Sequence, residues 1–249
     1  KDVNGAYSTN QALVLDIGST VGIAAQLLIL LPYLSRAGFR YRPRFDFRGT
    51  GLGHTFRLAV WTVLFVVVNQ VAYTVVVRLA SSGTAEGDGT GYTVYSSVFL
   101  IVMVPHAVVT VSLATAVLPT LSRHAADADH RALAASLTST MRTALVLIVP
   151  FVLLLPLIAS DVANVVWGYG AVGQDYDSYA PALALFAIGL FFFTLHYFAL
   201  RGFYALEQTR TVFVIQCWVA LTNVVLAVVL VDVTDADFTA PALVLAYAG

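Results

Sequence analysis

The sequence predicts an all-α fold, a polytopic membrane helix bundle of about six full transmembrane helices and a truncated seventh. Three observations predict it. The chain is 59% hydrophobic and only 11% charged, where an ordinary soluble domain carries about 25% charged residues. Its few charges are clustered, which leaves long windows almost free of them at about 12–34, 55–80, 92–118, 137–159, 180–200 and 211–231, with a seventh beginning near Phe238. About 20 apolar residues cross a bilayer core as a helix, and a chain of this length cannot bury six such helices in a water-soluble core. The third observation is the alternation of charge between loops.

Lys and Arg collect in the cytoplasmic loops of membrane proteins. The first loop carries Arg36, Arg40, Arg42, Arg44 and Arg48; the second has no base but holds Glu86 and Asp88. The third has Arg123 and Arg131, with Arg142 following in the next span; the fourth has Asp161, Asp175 and Asp177 and no base. The fifth has Arg201 and Arg210, and the sixth has Asp232, Asp235 and Asp237. Loops one, three and five are therefore assigned to the cytoplasm. The basic first loop has two readings. Its arginines are topogenic charge beside an anionic leaflet, or Arg40, Arg42 and Arg44 capture an anionic lipid headgroup.

Within the spans there is no nucleotide, metal or nucleophile motif, so no cofactor, metal or enzymatic activity is expected, and nothing calls for nucleic acid. Cys217 is the single cysteine, which excludes an internal disulfide. The polar side chains in hydrocarbon are few, and such groups face other helices or a wet cavity. Asn69 and Gln70 lie mid-span, either hydrogen-bonded between helices or lining a cavity. Arg57 lies about a turn inside the cytoplasmic end of the same span and Arg78 near its outer end; either can snorkel, and Arg57 is the better ligand candidate. His106 follows Pro105, where a kink is expected, as a proton-linked or substrate-contacting group or as a hydrogen-bond partner to the kink. Pro150 and Pro156 flex the next span. His196 reads as helix packing, and Gln216 and Asn223, seven apart, as one packing seam. Pro119 is expected to end its helix, leaving His124 and His130 on an exposed connecting helix; this pair reads as solvated surface rather than a metal site.

Four segments carry a resemblance. "ATAVLPTLSRHAA" (114–126), "GSTVGIAAQLLILLPYLSRAGFRYRPRFD" (18–46), "LRGFYALEQTRT" (200–211) and "VVWGYGAVGQDY" (165–176) resemble, in order and spacing, patterns of the MurJ/MviN lipid II flippases. These belong to the multidrug/oligosaccharidyl-lipid/polysaccharide exporter superfamily. The resemblance implies a two-lobed exporter fold of fourteen helices. Residues 1–50 would be the last helix of the first lobe with its basic cytoplasmic loop, and 51–249 the second-lobe helices, incomplete at the C-terminus. The chain begins at Lys1 and its last apolar stretch is short, so an internal fragment is expected. The implied activity is alternating-access movement of a polyprenyl-diphosphate-linked saccharide from inner to outer leaflet of the bacterial cytoplasmic membrane. Membrane lipids and other cell-wall synthesis proteins would be its partners. Arg57, Asn69, Gln70 and His106 are the candidate substrate-binding residues. The pattern departs at Leu100, where family members often carry arginine, and at Glu207, Gln208 and Val212, where Gly, Asp and Pro are common. Alternatives are a flippase for another polyprenyl-linked saccharide, a drug or cation antiporter, and a non-transporting scaffold for cell-wall enzymes. An antiporter should show intramembrane Asp or Glu, which the spans between His54 and Ala159 lack.

Overall fold

A computed structural model describes residues 9–38, 52–82, 90–169 and 175–248. The chain divides into two units, residues 1–52 and 53–249. The first holds α1 (Thr9–Arg36), a single apolar helix; none of its described side chains is buried. The second begins with α2 (Leu52–Ser82). It continues through α3 (Tyr92–Pro105), a π-turn (His106–Val111) and α4 (Ser112–Ala126), which run as one rod. After them come α5 (His130–Leu154), the short α6 (Ala159–Trp167), α7 (Ala180–Ala205), α8 (Thr209–Val233) and α9 (Thr239–Ala248). Six of the helical segments are long and apolar enough to cross a membrane, as the charge-free windows predict.

α7 is the central post. It packs against α3, α5, α6, α8 and α9, and its buried side includes Ala182, Leu183, Phe186, Ala187 and Leu190. In lipid there is little hydrophobic gain from pressing helices together, so close approach depends on small residues and tight packing. α7 follows that rule with alanines and Gly189, and α9 with Ala240, Ala242 and Ala246, all but inaccessible. Between them stand rings: Phe186 lies 5.6 Å from Tyr95, 5.8 Å from Phe99 and 5.8 Å from Tyr247, centroid to centroid.

The two sets of loops gather at opposite ends of the second unit. At one end Thr90, from the second loop, accepts from the Ala240 N–H at 3.0 Å and donates to the Asp237 carbonyl at 2.8 Å. This caps α9, an end whose first amides lack helical partners. At the other end Leu121, Leu133 and Ala205, beside the third and fifth loops, form a buried cluster. His54 reaches Glu207 at 2.9 Å there.

The structure differs from the sequence expectation at two loops. Pro119 does not end its helix; α4 continues to Ala126. A proline removes one backbone donor, but Leu121, two residues beyond it, is fully buried against Leu133 and Ala205, and that packing holds the last turn. The third loop is consequently only the turn at 127–129, and the next helix starts at His130 rather than near 137. His130 thus opens α5 and His124 stays on α4, with no separate connecting helix. The fourth loop contains a helix that was not expected, α6, whose Ala159 and Ala163 are buried in the main core. It is split from α5 at the turn bearing Pro156, as the backbone restriction before proline favours.

Two turns hold non-glycine residues in the left-handed region: Ala128 at φ 54° and Glu207 at φ 56°. After α4, the Asp129 N–H reaches the His124 carbonyl at 2.9 Å and the Ala128 N–H the Ala125 carbonyl at 3.1 Å. This is the double closure in which the residue past the helix end normally is glycine. Ala128→Gly is expected to stabilise the full-length protein by about 1 kcal/mol, read as a raised melting temperature in detergent. Phe186→Ala should have the opposite effect, about 3 kcal/mol, and the same melt measures it.

Candidate functional site

α2 is the helix that carries most of the candidate residues, and its attachment is unusual. It meets the rest of its unit mainly through long side chains. Arg210 lies over the Trp61 ring with its guanidinium carbon 5.7 Å from the centroid. Trp61 in turn meets Phe213 at 5.4 Å. Further along, Gln216 donates to the Asn69 side-chain carbonyl at 2.9 Å, while the Asn69 amide donates to its own helix at the Phe65 carbonyl. Tyr73 and Tyr92 share a hydroxyl pair at 2.6 Å. Every α2 side chain named here bears a polar tip or a ring at its point of contact; only near its outer end, at Val76 and Ala80, does α2 enter the main core.

The two readings of the mid-span amides thus separate. Asn69 is engaged between helices with Gln216, which is buried, a partner the sequence reading had placed only on a packing seam. Gln70, next to it, is exposed. Arg57 is exposed as well. On an ideal helix Arg57 and Gln70 project roughly 140° apart and about 20 Å along the axis, so one wall does not hold both. Asn223, also assigned to the seam, donates to the Ala246 carbonyl of α9 at 3.0 Å.

His106 sits elsewhere, in the core between α7 and the rod. Pro105 cannot donate to the turn before it, and the chain answers with the π-turn, a common consequence of a lost helical bond. The His106 ring lies 4.7 Å from Phe193 and 5.1 Å from Tyr197, edge-on to the latter. The side chain is buried, and its Nδ1 has no hydrogen-bond partner, so it does not satisfy the kink through that atom. Arg201 donates to the Tyr197 hydroxyl and lies over its ring at 4.5 Å. One turn further along the π-turn, the Thr110 and Thr194 hydroxyls meet at 3.4 Å. The polar line His106–Tyr197–Arg201 was not expected from sequence; the i, i+4 spacing of Tyr197 and Arg201 on one helix was the available signal.

Arg40, Arg42 and Arg44 lie outside the described residues. Leu100, at the position where the resembling family often has arginine, projects from α3 with 68% exposure. Among the described residues no group of three or more His, Cys, Asp or Glu is placed to hold a metal. Among the described residues, a concavity of about 720 Å³ opens along α5 at Ala134, Thr138, Ser139, Arg142 and Thr143, and one of about 300 Å³ at α6. Neither is lined by Arg57, Asn69, Gln70 or His106.

Known proteins supply the wider frame. A probable lipid II flippase MurJ from Thermotoga maritima is 30% identical over 214 residues, covering 86% of this chain and 42% of that protein. One from Buchnera aphidicola is 25% identical over 207 residues, covering 83% of this chain and 40% of the relative. The chain therefore spans about two fifths of the length of these curated relatives. The solved structure of lipid II flippase MurJ in an inward closed conformation aligns with a TM-score of 0.63 at 20% identity. It covers 82% of this chain and 42% of that one, a likeness of fold. The family model described as lipid II flippase MurJ matches residues 3–249, and with its six membrane-length helices this chain is a multi-pass membrane protein that belongs to the MurJ lipid II flippase family.

Proposed function

We propose that the protein of which this chain is part moves lipid II, a polyprenyl-diphosphate-linked saccharide, from the inner to the outer leaflet of the bacterial cytoplasmic membrane for cell-wall synthesis. The observation that carries this reading is the family match over residues 3–249. The protein acts as a transporter and not as an enzyme. Residues 51–249 form the second lobe, α1 the last helix of the first, and other cell-wall synthesis proteins are its partners.

Physical chemistry sets what such a protein must supply. A diphosphate cannot cross hydrocarbon bare, because an isolated charge in low dielectric is very costly. It needs a wet path lined by cations, open to one face at a time. On this reading Arg57, exposed about a turn inside the basic end of α2, meets the headgroup first, with Arg40, Arg42 and Arg44 gathering it at the surface. The exposed Gln70 meets it deeper, from another face of the same helix, while Asn69 is held by Gln216. The polar tips that join α2 to α8 suit such a role, since a contact made by side-chain ends re-forms at small cost when a helix shifts. His106 serves in the packing of the rod against α7 and tunes the bend at the π-turn.

Depletion of the full-length protein, in cells without a second flippase, is expected to abolish lipid II exposure at the outer leaflet; unchanged exposure would exclude the reading. A label specific to the lipid-linked sugar separates lipid II from other polyprenyl-linked saccharides. Arg57→Ala is expected to fail in complementation at unchanged protein level, whereas normal growth would leave Arg57 as an interfacial anchor. Gln216→Leu, paired with Asn69→Leu in a double-mutant cycle, should report a coupling of about 1 kcal/mol in thermal stability.

A further inference from the structure

The outer face of α5 carries a set of donors that the packing of the helix does not use. Arg142 is exposed and, among the described residues, has no hydrogen-bond or ion-pair partner. Thr138 and Ser139, four and three residues before it, are exposed too, and neither hydroxyl has a partner. Their neighbours behave differently. Thr140 and Thr143 turn their hydroxyls back to the carbonyls of Ser136 and Ser139 at 2.9 and 3.1 Å, the usual way a hydroxyl is satisfied in an apolar helix. Residues at i, i+3 and i+4 adjoin on a helix surface, so Arg142, Thr138 and Ser139 present their free donors to one spot. That spot is concave, because Ala134 and Ala135 leave room beside it, and the groove they line measures about 720 Å³.

Depth and charge identify the occupant. α5 has no charged residue from Thr143 to its end at Leu154, and the apolar run continues through Ile158. Counting about 20 residues for a bilayer core back from Ile158 puts the inner hydrocarbon boundary near Ser139. Arg142 is therefore rooted about 4.5 Å inside that boundary, on the side of the basic third loop, and its long side chain snorkels out to the level of the phospholipid phosphates. Arg131 sits on the same helix face, about 16 Å nearer the cytoplasm, and is exposed. An unneutralised arginine at the edge of hydrocarbon is costly, guanidinium binds phosphate oxygens in pairs, and the facing leaflet is anionic.

We propose that this face of α5 binds the phosphate of an anionic glycerophospholipid of the inner leaflet, held by Arg142 and the Thr138 and Ser139 hydroxyls. The site is separate from the transport path proposed above and does not depend on it. The test uses purified full-length protein in micelles holding equal phosphatidylglycerol and phosphatidylethanolamine, with retained lipid counted by native mass spectrometry. Phosphatidylglycerol should be retained in preference, and Arg142→Gln should lower that retention about tenfold, the loss expected for a charge-assisted hydrogen bond. Arg142→Lys should keep part of it, and Arg78→Gln, at the other end of the membrane, all of it. Should Arg142→Gln not fold, the Thr138→Val/Ser139→Ala pair, which keeps the charge, should still lower retention about threefold through the loss of two neutral hydrogen bonds. Equal retention of the two lipids by the wild type, undiminished retention by either altered protein, or displacement of phosphatidylglycerol by equimolar undecaprenyl diphosphate would overturn the proposal. The last result would assign the face to the transported lipid instead.

Discussion

A polar group inside a bilayer has no water to turn to, and the arrangement of this chain depends on that constraint. Each polar side chain at depth has to find a partner in the protein, reach the surface, or wait for a ligand. The first solution fixes the bundle. Gln216 ties α8 to α2 through Asn69, Asn223 ties α8 to α9 through the Ala246 carbonyl, and Thr110 meets Thr194 between the π-turn and α7. Each bond is worth little over its alternatives, yet each excludes helix registers in which one partner would face hydrocarbon alone. Register is thus set by a few polar atoms, while close approach is set by alanines and by the rings around Phe186.

The same constraint explains the uneven grip on the helices. α7 and α9 carry small buried residues along most of their length and are held by backbone proximity. α2 presents valines and leucines outward, among them Val63, Val66 and Val67, and touches its unit through Trp61, Asn69 and Tyr73. The Thr90 cap on α9 and the Tyr73–Tyr92 pair lie at one end, the His54–Glu207 pair at the other. Because α2 enters the core only near its outer end, at Val76 and Ala80, the rest of the helix can pivot about that end by exchanging the few contacts at His54, Trp61 and Asn69.

Much of this was legible in the sequence. The charge-free windows gave the spans because hydrocarbon tolerates only helices with internally satisfied backbones, and the alternation of Arg-bearing and Asp-bearing loops matches the gathering of the two sets at opposite ends. What was not legible depended on packing between distant segments. Proline at 119 is a local signal to stop, but the burial of Leu121 against Leu133 and Ala205 overrides it. α6 lacks the length of a span, and only its fit against the core reveals it as a helix. The candidate site was read as a list of polar residues, and a list carries no facing: Asn69 is spent on Gln216, His106 is enclosed by Phe193 and Tyr197, and Arg57 and Gln70 point apart. The donors of α5 are illegible for the opposite reason, since threonine and serine near an arginine look like an interfacial helix start until their hydroxyls prove to be unused.

Two of the departures from the family pattern, Glu207 and Leu100, differ in physical weight. Glu207 stands where glycine is common and adopts φ 56°, a conformation that costs a side-chain-bearing residue roughly 1 kcal/mol. The Gln208 N–H still closes on the Phe203 carbonyl at 3.0 Å, so the turn survives, and Glu207 gains an exposed contact with His54 that adds little in water. This change is tolerated because its cost is local. Leu100 is of another kind. It is exposed on α3 where an arginine is common, and no neighbouring residue on that helix restores the charge. On the proposed function the headgroup loses one attractive centre at the depth of α3. Within the described spans of this unit, the attraction then falls to the cytoplasmic end of α2, where Arg57 stands exposed. The negative charge would be met early on its path, at Arg57, and carried past α3 by water and the exposed Gln70 amide.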